Sequence, residues 1–376
     1  MRQRFIQSFS TSGTEQTAID NKELGKPYVA YIEDGQYIDW NTKGIDYTGM
    51  PLTFEIISGG TILWTSSRGQ AKTIEYSKDA GSTWEQITST SEGAVINVVP
   101  GDKLIFKGNT SIATDIYNYV SFRGTAIYNV YGNINSIRFW DNYISGSITY
   151  NAYVYYGLFK NSGVYDASNL YLPEVAAEYM YYSLFGGSTH LVKVPRLRGK
   201  TMYRGCYAYM FQACTSLVDA PELPATTMAT ECYMYMFYGC TSLVEAPVLP
   251  ATTLAYYCYE KMFGKCTSLT VAPELPATSL ERACYRGMFA ECTSLQTAPV
   301  LNADVIATMS YEDLFISATS LNYVVCLATD YSATQAVRNW MLGVSSTGTF
   351  VKHPNATWPS GASGIPAGWT VIDADI

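Results

Sequence analysis

Carboxylates and thiols are the groups in this chain whose spacing invites chemistry. Asp219 with Glu222, and Glu245 with Glu274, could serve a glycosidase, which needs only two carboxyl groups. These pairs recur with a fixed period, however. A catalytic pair occurs once, so a recurring one reads as a solvated surface column. Eight of the nine cysteines form two files, one of Cys206, Cys232, Cys258 and Cys284, the other of Cys214, Cys240, Cys266 and Cys292; Cys326 stands apart. The two histidines, His190 and His353, lie far apart, each in an unremarkable context, and mark no Ser-His-Asp or Cys-His arrangement. A lengthwise file of thiols without histidine does not make a tetrahedral zinc site. Adjacent-rung disulfides suit the distances, but stacked side chains point the same way and bridged Cβ atoms should converge. The thiols therefore read as compact apolar fillers. No Gly-rich phosphate loop is present, and the expectation is a chain that is not an enzyme and takes no cofactor or metal.

The files belong to a repeat of 26 residues, best seen in CYAYMFQACTSLVDAPELPATTM from Cys206 and CYMYMFYGCTSLVEAPVLPATTL from Cys232. Phenylalanine recurs from Phe159 through Phe237 to Phe315, and tyrosine from Tyr155 through Tyr233 to Tyr311. A third column runs Phe139, Tyr165, Leu191 and on to Leu321. A fixed period of this length marks stacked units, because one unit cannot bury its own apolar face. Within a unit, Met228, Cys232, Met236 and Phe237 have helical spacing, which predicts a helix over 226–240. Leu243 to Leu249 is short and holds Pro247, which predicts a short strand with the proline near its end. The fold expected is α+β and multidomain: an N-terminal all-β sandwich, then a solenoid of 26-residue units, then a C-terminal cap.

Variable columns flank the predicted strand. One holds Lys193, Asp219 and Glu245; the other holds Arg196, Glu222 and Glu274. On an exposed solenoid face these six are the candidate ligand-binding residues. The alternative is plain solvation of a repeat surface. The first rungs are basic and the following ones acidic.

The 376 residues leave room for several domains, and 48% hydrophobic with 15% charged residues excludes a disordered chain. A net charge of −8 argues against nucleic acid. No apolar run is long enough to cross a membrane, so no membrane insertion is expected. The first residues, MRQRFIQSFSTSGTEQTAIDN, lack the apolar core of a secretory signal. If Met1 is the natural start, the expectation is an exit other than the signal-peptide route. Residues 1–46 read as an attachment arm with a hairpin at Glu33–Gly35, and residues 47–132 as the sandwich. Residues 133–321 carry the repeats, and 322–376 the cap, with a short helix at 333–342 and strands at 348–351 and 369–372. Ser77 to Trp84 fits S-x-D-x-G-x-T-W, read here as a hairpin held by Asp79, with Gly81 permitting positive φ and Trp84 packing beneath.

The CTSL motif before a proposed strand, with phenylalanine in the preceding proposed helix, resembles the BspA-like class of leucine-rich repeats. The arm GKPYVAYIEDGQYIDW, the repeats and the ending GVSSTGTF…GIPAGWTV are similar to fibre and appendage proteins of phages of gut Bacteroidetes, and to surface proteins of those bacteria. The resemblance implies a leucine-rich repeat solenoid on a virion surface, in a head or tail fibre, that adheres to a host or gut surface glycan or protein. It implies other virion proteins as partners of the N-terminal region, with a homo-oligomer such as a trimer as an option. The alternatives are a bacterial cell-surface adhesin and a purely structural capsid-decorating protein.

Overall fold

The computed structural model describes residues 47–144 and 148–376, with the backbone of β1 (Ile32–Glu33) and β2 (Gln36–Tyr37). β1 and β2 pair antiparallel, Ile32 opposite Tyr37. Of the expected Glu33–Gly35 turn, Asp34 and Gly35 lie outside the described residues, as does the rest of the 1–46 arm.

Eight strands follow: β3 (Thr53–Ser58), β4 (Gly60–Ser66), β5 (Thr73–Ser77), β6 (Glu85–Thr88), β7 (Ala94–Val98), β8 (Lys103–Lys107), β9 (Val120–Gly124) and β10 (Ile127–Asn133). Their apolar residues alternate, so each sheet turns one face inward. One sheet has the order β7-β4-β9. The other runs β10-β3-β8-β5-β6 and is extended beyond β10 by β11 (Val164–Asp166), with β12 (Leu170–Tyr171) also on β10. Aromatic rings join the two layers. Phe54 stacks on Tyr128 at 4.4 Å between ring centres, and Phe122 of the small sheet lies 4.9 Å from both Phe54 and Phe106.

β11 and β12 are already part of the repeats and pair parallel with β10. The large sheet therefore continues into the first rung by main-chain bonds, and Phe122 stacks on Phe159, first of the phenylalanine column. The join needs a glycine: a methyl at Gly163 would overlap the Ala126 carbonyl.

The repeats correct the α+β expectation. The chain is nearly all β, 1% helical and 24% strand, and the helical residues described are the single 3-10 turn Ile134–Ile137. No helix forms over 226–240 or 333–342. The leucine-rich solenoid of helix and strand is not what these residues build. They build a stack of 26-residue rungs, each with a turn-rich limb and an extended limb.

The reason lies in the destinations of the N–H groups. An α-helix sends every N–H to the carbonyl four residues back. In Tyr203 to Cys214 the even-numbered N–H groups reach only three residues back: Cys206 to Tyr203, Ala208 to Gly205, Met210 to Tyr207. The odd-numbered ones cross to the next rung: Gly205 to Thr230, Tyr207 to Cys232, Tyr209 to Met234, Phe211 to Met236, Ala213 to Tyr238, at 2.8–3.0 Å. Every fourth residue takes positive φ, as at Gly205 (56°), Tyr209 (58°) and Ala213 (56°), and this turns the limb a corner without helical drift. The N–H groups from Gly205 to Cys214 are thus all used, half within the rung and half across the stack.

The extended limbs do not form the expected strand over 243–249. Two prolines in each of three successive limbs, Pro221 with Pro224, Pro247 with Pro250 and Pro273 with Pro276, remove ladder donors. Only isolated parallel bridges remain, such as Glu245 with Val271. Where the prolines stop, a sheet appears. β13 (Tyr323–Cys326) pairs with β14 (Gly348–Lys352), which pairs with β15 (Trp369–Asp373), all parallel. Tyr323 lies opposite Thr349, so the register keeps the repeat period to β14, and the last step, Gly348 to Trp369, is shorter.

Packing between rungs is aromatic. The column from Phe159 to Phe315 stacks at 5.3–5.8 Å with rings within 13° of parallel. The column from Tyr155 to Tyr311 runs beside it and ends on Trp340, itself covered by Trp358 at 5.1 Å. The leucine column is buried from Leu191 to Leu321, whereas Tyr165 is exposed and Phe139 half-buried. Because Phe237 is fully buried between two ring neighbours, Phe237→Ala should cost about 3–5 kcal/mol by cavity formation. Chemical denaturation measures this loss, and an unchanged midpoint would contradict the stack.

Candidate functional site

The extended limbs put the six candidate residues outward. Side chains alternate along each limb: Pro221, Leu223 and Ala225 are buried, while Glu222, Pro224 and Thr226 are exposed. Lys193, Arg196, Asp219, Glu222, Glu245 and Glu274 are all exposed. Asp219 and Glu245 occupy the same position on adjacent rungs, as do Arg196 and Glu222, with Glu274 two rungs beyond Glu222. No hydrogen bond or ion pair joins any two of the six. Lys193 instead pairs with Asp166 at 3.5 Å, back toward the β domain. The stack thus aligns these groups in two rows without gathering them into a pocket. The surface runs from basic to acidic and continues through exposed Val248, Val271 and Val300.

The turn limbs carry other groups. Cys214, Cys240, Cys266 and Cys292 each donate their S–H to the phenylalanine carbonyl of the preceding rung, as Cys240 does to Phe211 at 3.1 Å. Ser188 fills the same position and does the same to Phe159 at 2.7 Å. This bond explains a thiol column better than volume alone. All nine cysteines are free and buried. Burial pushes thiols such as Cys240 and Cys258 up to about 12, which leaves no nucleophilic thiolate near neutrality.

One position of the turn limb reads Glu260, Arg286, Glu312, Arg338 on successive rungs. Glu260 meets Arg286 at 3.3 Å, Arg286 meets Glu312 at 3.2 Å, and Glu312 also pairs with Arg338. Glu312 is fully buried and Glu260 nearly so. Burial raises the Glu260 carboxyl above the usual range, against the pull of Arg286. An alternating ladder of this kind opposes slippage by one rung, since slippage would set like charges together. Beside it, tyrosines stack rung on rung, Tyr153 on Tyr179 and Tyr209 on Tyr235 at 4.7 Å each. Their faces cover one another, so their edges meet solvent.

Asp79 holds the hairpin between β5 and β6. Its carboxylate accepts from the Thr83 N–H at 2.8 Å, the Thr83 hydroxyl at 2.7 Å and the Ser77 hydroxyl at 2.7 Å. The backbone bond from Thr83, then the two hydroxyls, lowers its pKa to about 2.

Among the described residues, no group of three or more His, Cys, Asp or Glu is arranged to hold a metal ion, and no helix is long and apolar enough to cross a membrane. No family model, curated protein or solved structure matches the chain. The Glu260–Arg338 ladder escaped sequence reasoning although its signal was present, as alternating charges at the repeat period. The outward face of β10, β3 and β8 was also missed. Tyr131 on that face is an aromatic at a position where alternation calls for a polar residue.

Two tests follow from these geometries. At about pH 8, native protein should label slowly with a thiol reagent and unfolded protein fully. Rapid labelling of the native repeat thiols would contradict their burial. Asp79 has a depressed folded pKa, so its contribution is present above the unfolded value of 3.8 and is lost as pH falls through about 2. Asp79→Asn should therefore flatten the acid side of the stability profile over that window, and an unaltered slope would mean that the hairpin does not use the charge.

Proposed function

We propose that the rung stack is a non-enzymatic recognition surface, carried by a virion appendage that adheres to a host or gut surface. The supporting observation is the division of each extended limb. Its inward positions are repeated and buried, while its outward positions vary over Lys193, Arg196, Asp219, Glu222, Glu245 and Glu274. Buried constancy with exposed variation is how stacked-repeat proteins present an elongated binding face. Continuous main-chain bonding from β10 into the first rung favours a stiff carrier, as an appendage requires.

The mixed charges favour a partner recognised by many weak polar contacts along the stack, a surface glycan or protein. On this reading the region before the repeats meets other virion proteins. Replacing Asp219, Glu222, Glu245 and Glu274 by Asn or Gln tests it with little risk to folding, since all four are exposed. The full chain should bind cells of a gut Bacteroidetes host, and the quadruple variant should bind about tenfold or more weakly, a loss of at least 1.4 kcal/mol, at unchanged melting temperature. Equal binding by the two proteins would remove the face from recognition. Mass spectrometry of purified virions should find the chain there; its recovery from the bacterial envelope instead would contradict the appendage assignment.

A further inference from the structure

The outward face of the seven-stranded sheet holds a cleft that reaches the first rung at Asp166 and Asn169. Its volume is about 660 Å³, within the range of roughly 300–1,000 Å³ common to small-ligand sites. Strand register builds its floor. Asn129 of β10 lies opposite Glu55 of β3, which lies opposite Lys103 of β8, and the adjacent row is Tyr131, Thr53 and Ile105. The ring of Tyr47 stands 5.6 Å from that of Tyr131 at 60°, making an aromatic corner at the rim.

We propose that this cleft binds an uncharged saccharide. The charges around it are already matched within the protein. Glu55 pairs with Lys103 at 3.2 Å, Lys78 with Asp102 at 3.5 Å, and Asp166 with Lys193 at 3.5 Å. Asp79 is occupied by Thr83 and Ser77. An ion entering here would have to break such pairs to be bound, whereas hydroxyl groups can bridge their remaining lone pairs and N–H groups. One acceptor on the floor is unused: the Asn129 side-chain oxygen is buried with no hydrogen-bond partner. A buried carbonyl oxygen left in that state is costly, and a turn of the half-buried Asn129 side chain toward the cleft would let a ligand hydroxyl relieve it. The tyrosine corner suits the C–H face of a sugar ring, and both phenols are protonated donors near neutral pH, as tyrosines ordinarily are, with burial raising them further. A peptide ligand is disfavoured, because β3 and β8 are central strands whose edges are already paired.

The test uses the full chain and calorimetric titration with neutral hexasaccharides, namely those of cellulose, laminarin, xylan, mannan and starch. Hexagalacturonate and inorganic phosphate serve as charged counterparts. At least one neutral hexasaccharide should bind, and Tyr47→Ala and Asn129→Ala should each weaken it by about tenfold or more, at least 1.4 kcal/mol. Asn129→Ser, which retains a small acceptor, should weaken it less. Glu222→Gln with Glu274→Gln should leave it unchanged, which separates this site from the repeat face. Melting curves establish that each variant is folded, and a variant that unfolds is replaced by Tyr131→Phe, which keeps the ring but removes a donor and should weaken binding; unchanged binding by that variant would count against the site. The proposal is overturned if wild-type protein binds none of the neutral sugars, if a charged counterpart binds better, or if binding survives both Tyr47→Ala and Asn129→Ala.

Discussion

Alternate peptide N–H groups of each turn limb are committed to the neighbouring rung, and most of the structure depends on that commitment. A rung taken alone would leave the N–H groups of Gly205, Tyr207, Tyr209, Phe211 and Ala213 without acceptors. Burying them without those acceptors would cost about 1–3 kcal/mol each. Rungs therefore exist only as a stack. The same bonds hold side chains in register, which is why Phe stacks on Phe, Cys on Cys and Glu260 on Arg286. They also sustain residues such as Tyr209 and Tyr235 at positive φ, a conformation that costs about 1–2 kcal/mol for a side chain with a Cβ. No local preference would hold them there.

That commitment divides the surface. The turn limb is closed, with backbone satisfied, thiols bonded to carbonyls and ring faces covered. The extended limb has few backbone bonds and turns alternate side chains outward. Variation is inexpensive there, because an outward position contributes nothing to the core. The β domain joins the first rung through β10, so a ligand held in its cleft and one held along the repeats would share one continuous scaffold.

Much of this was legible in the residues. The period, the buried columns, the exposure of the six charged residues and the Ser77–Trp84 hairpin could all be read from spacing. The path of the rung could not. Met228, Cys232, Met236 and Phe237 fit a helix as well as a four-residue corner, since both bring residues four apart to one side. The discriminating signs were weaker: Gly187, Gly239 and Gly343 sit at the repeat position where Ala213 also takes positive φ. The prolines were read as strand ends, yet two in a limb leave no strand to end. Tyr323–Cys326 forms one because it has none. The cleft was out of reach, because it depends on β10, β3 and β8 being neighbours, and strand order does not follow from local pattern.

The non-helical rung is most directly tested by Ala213→Gly, compared with wild type by equilibrium denaturation. Ala213 is half-exposed at a φ of 56°, and glycine occupies its position in the next rung. Relief of the left-handed strain should leave stability unchanged or raise it by up to about 1 kcal/mol, the gain being offset in part by the freer unfolded chain. A loss of about 1 kcal/mol, the cost of glycine inside a helix, would contradict the rung described here.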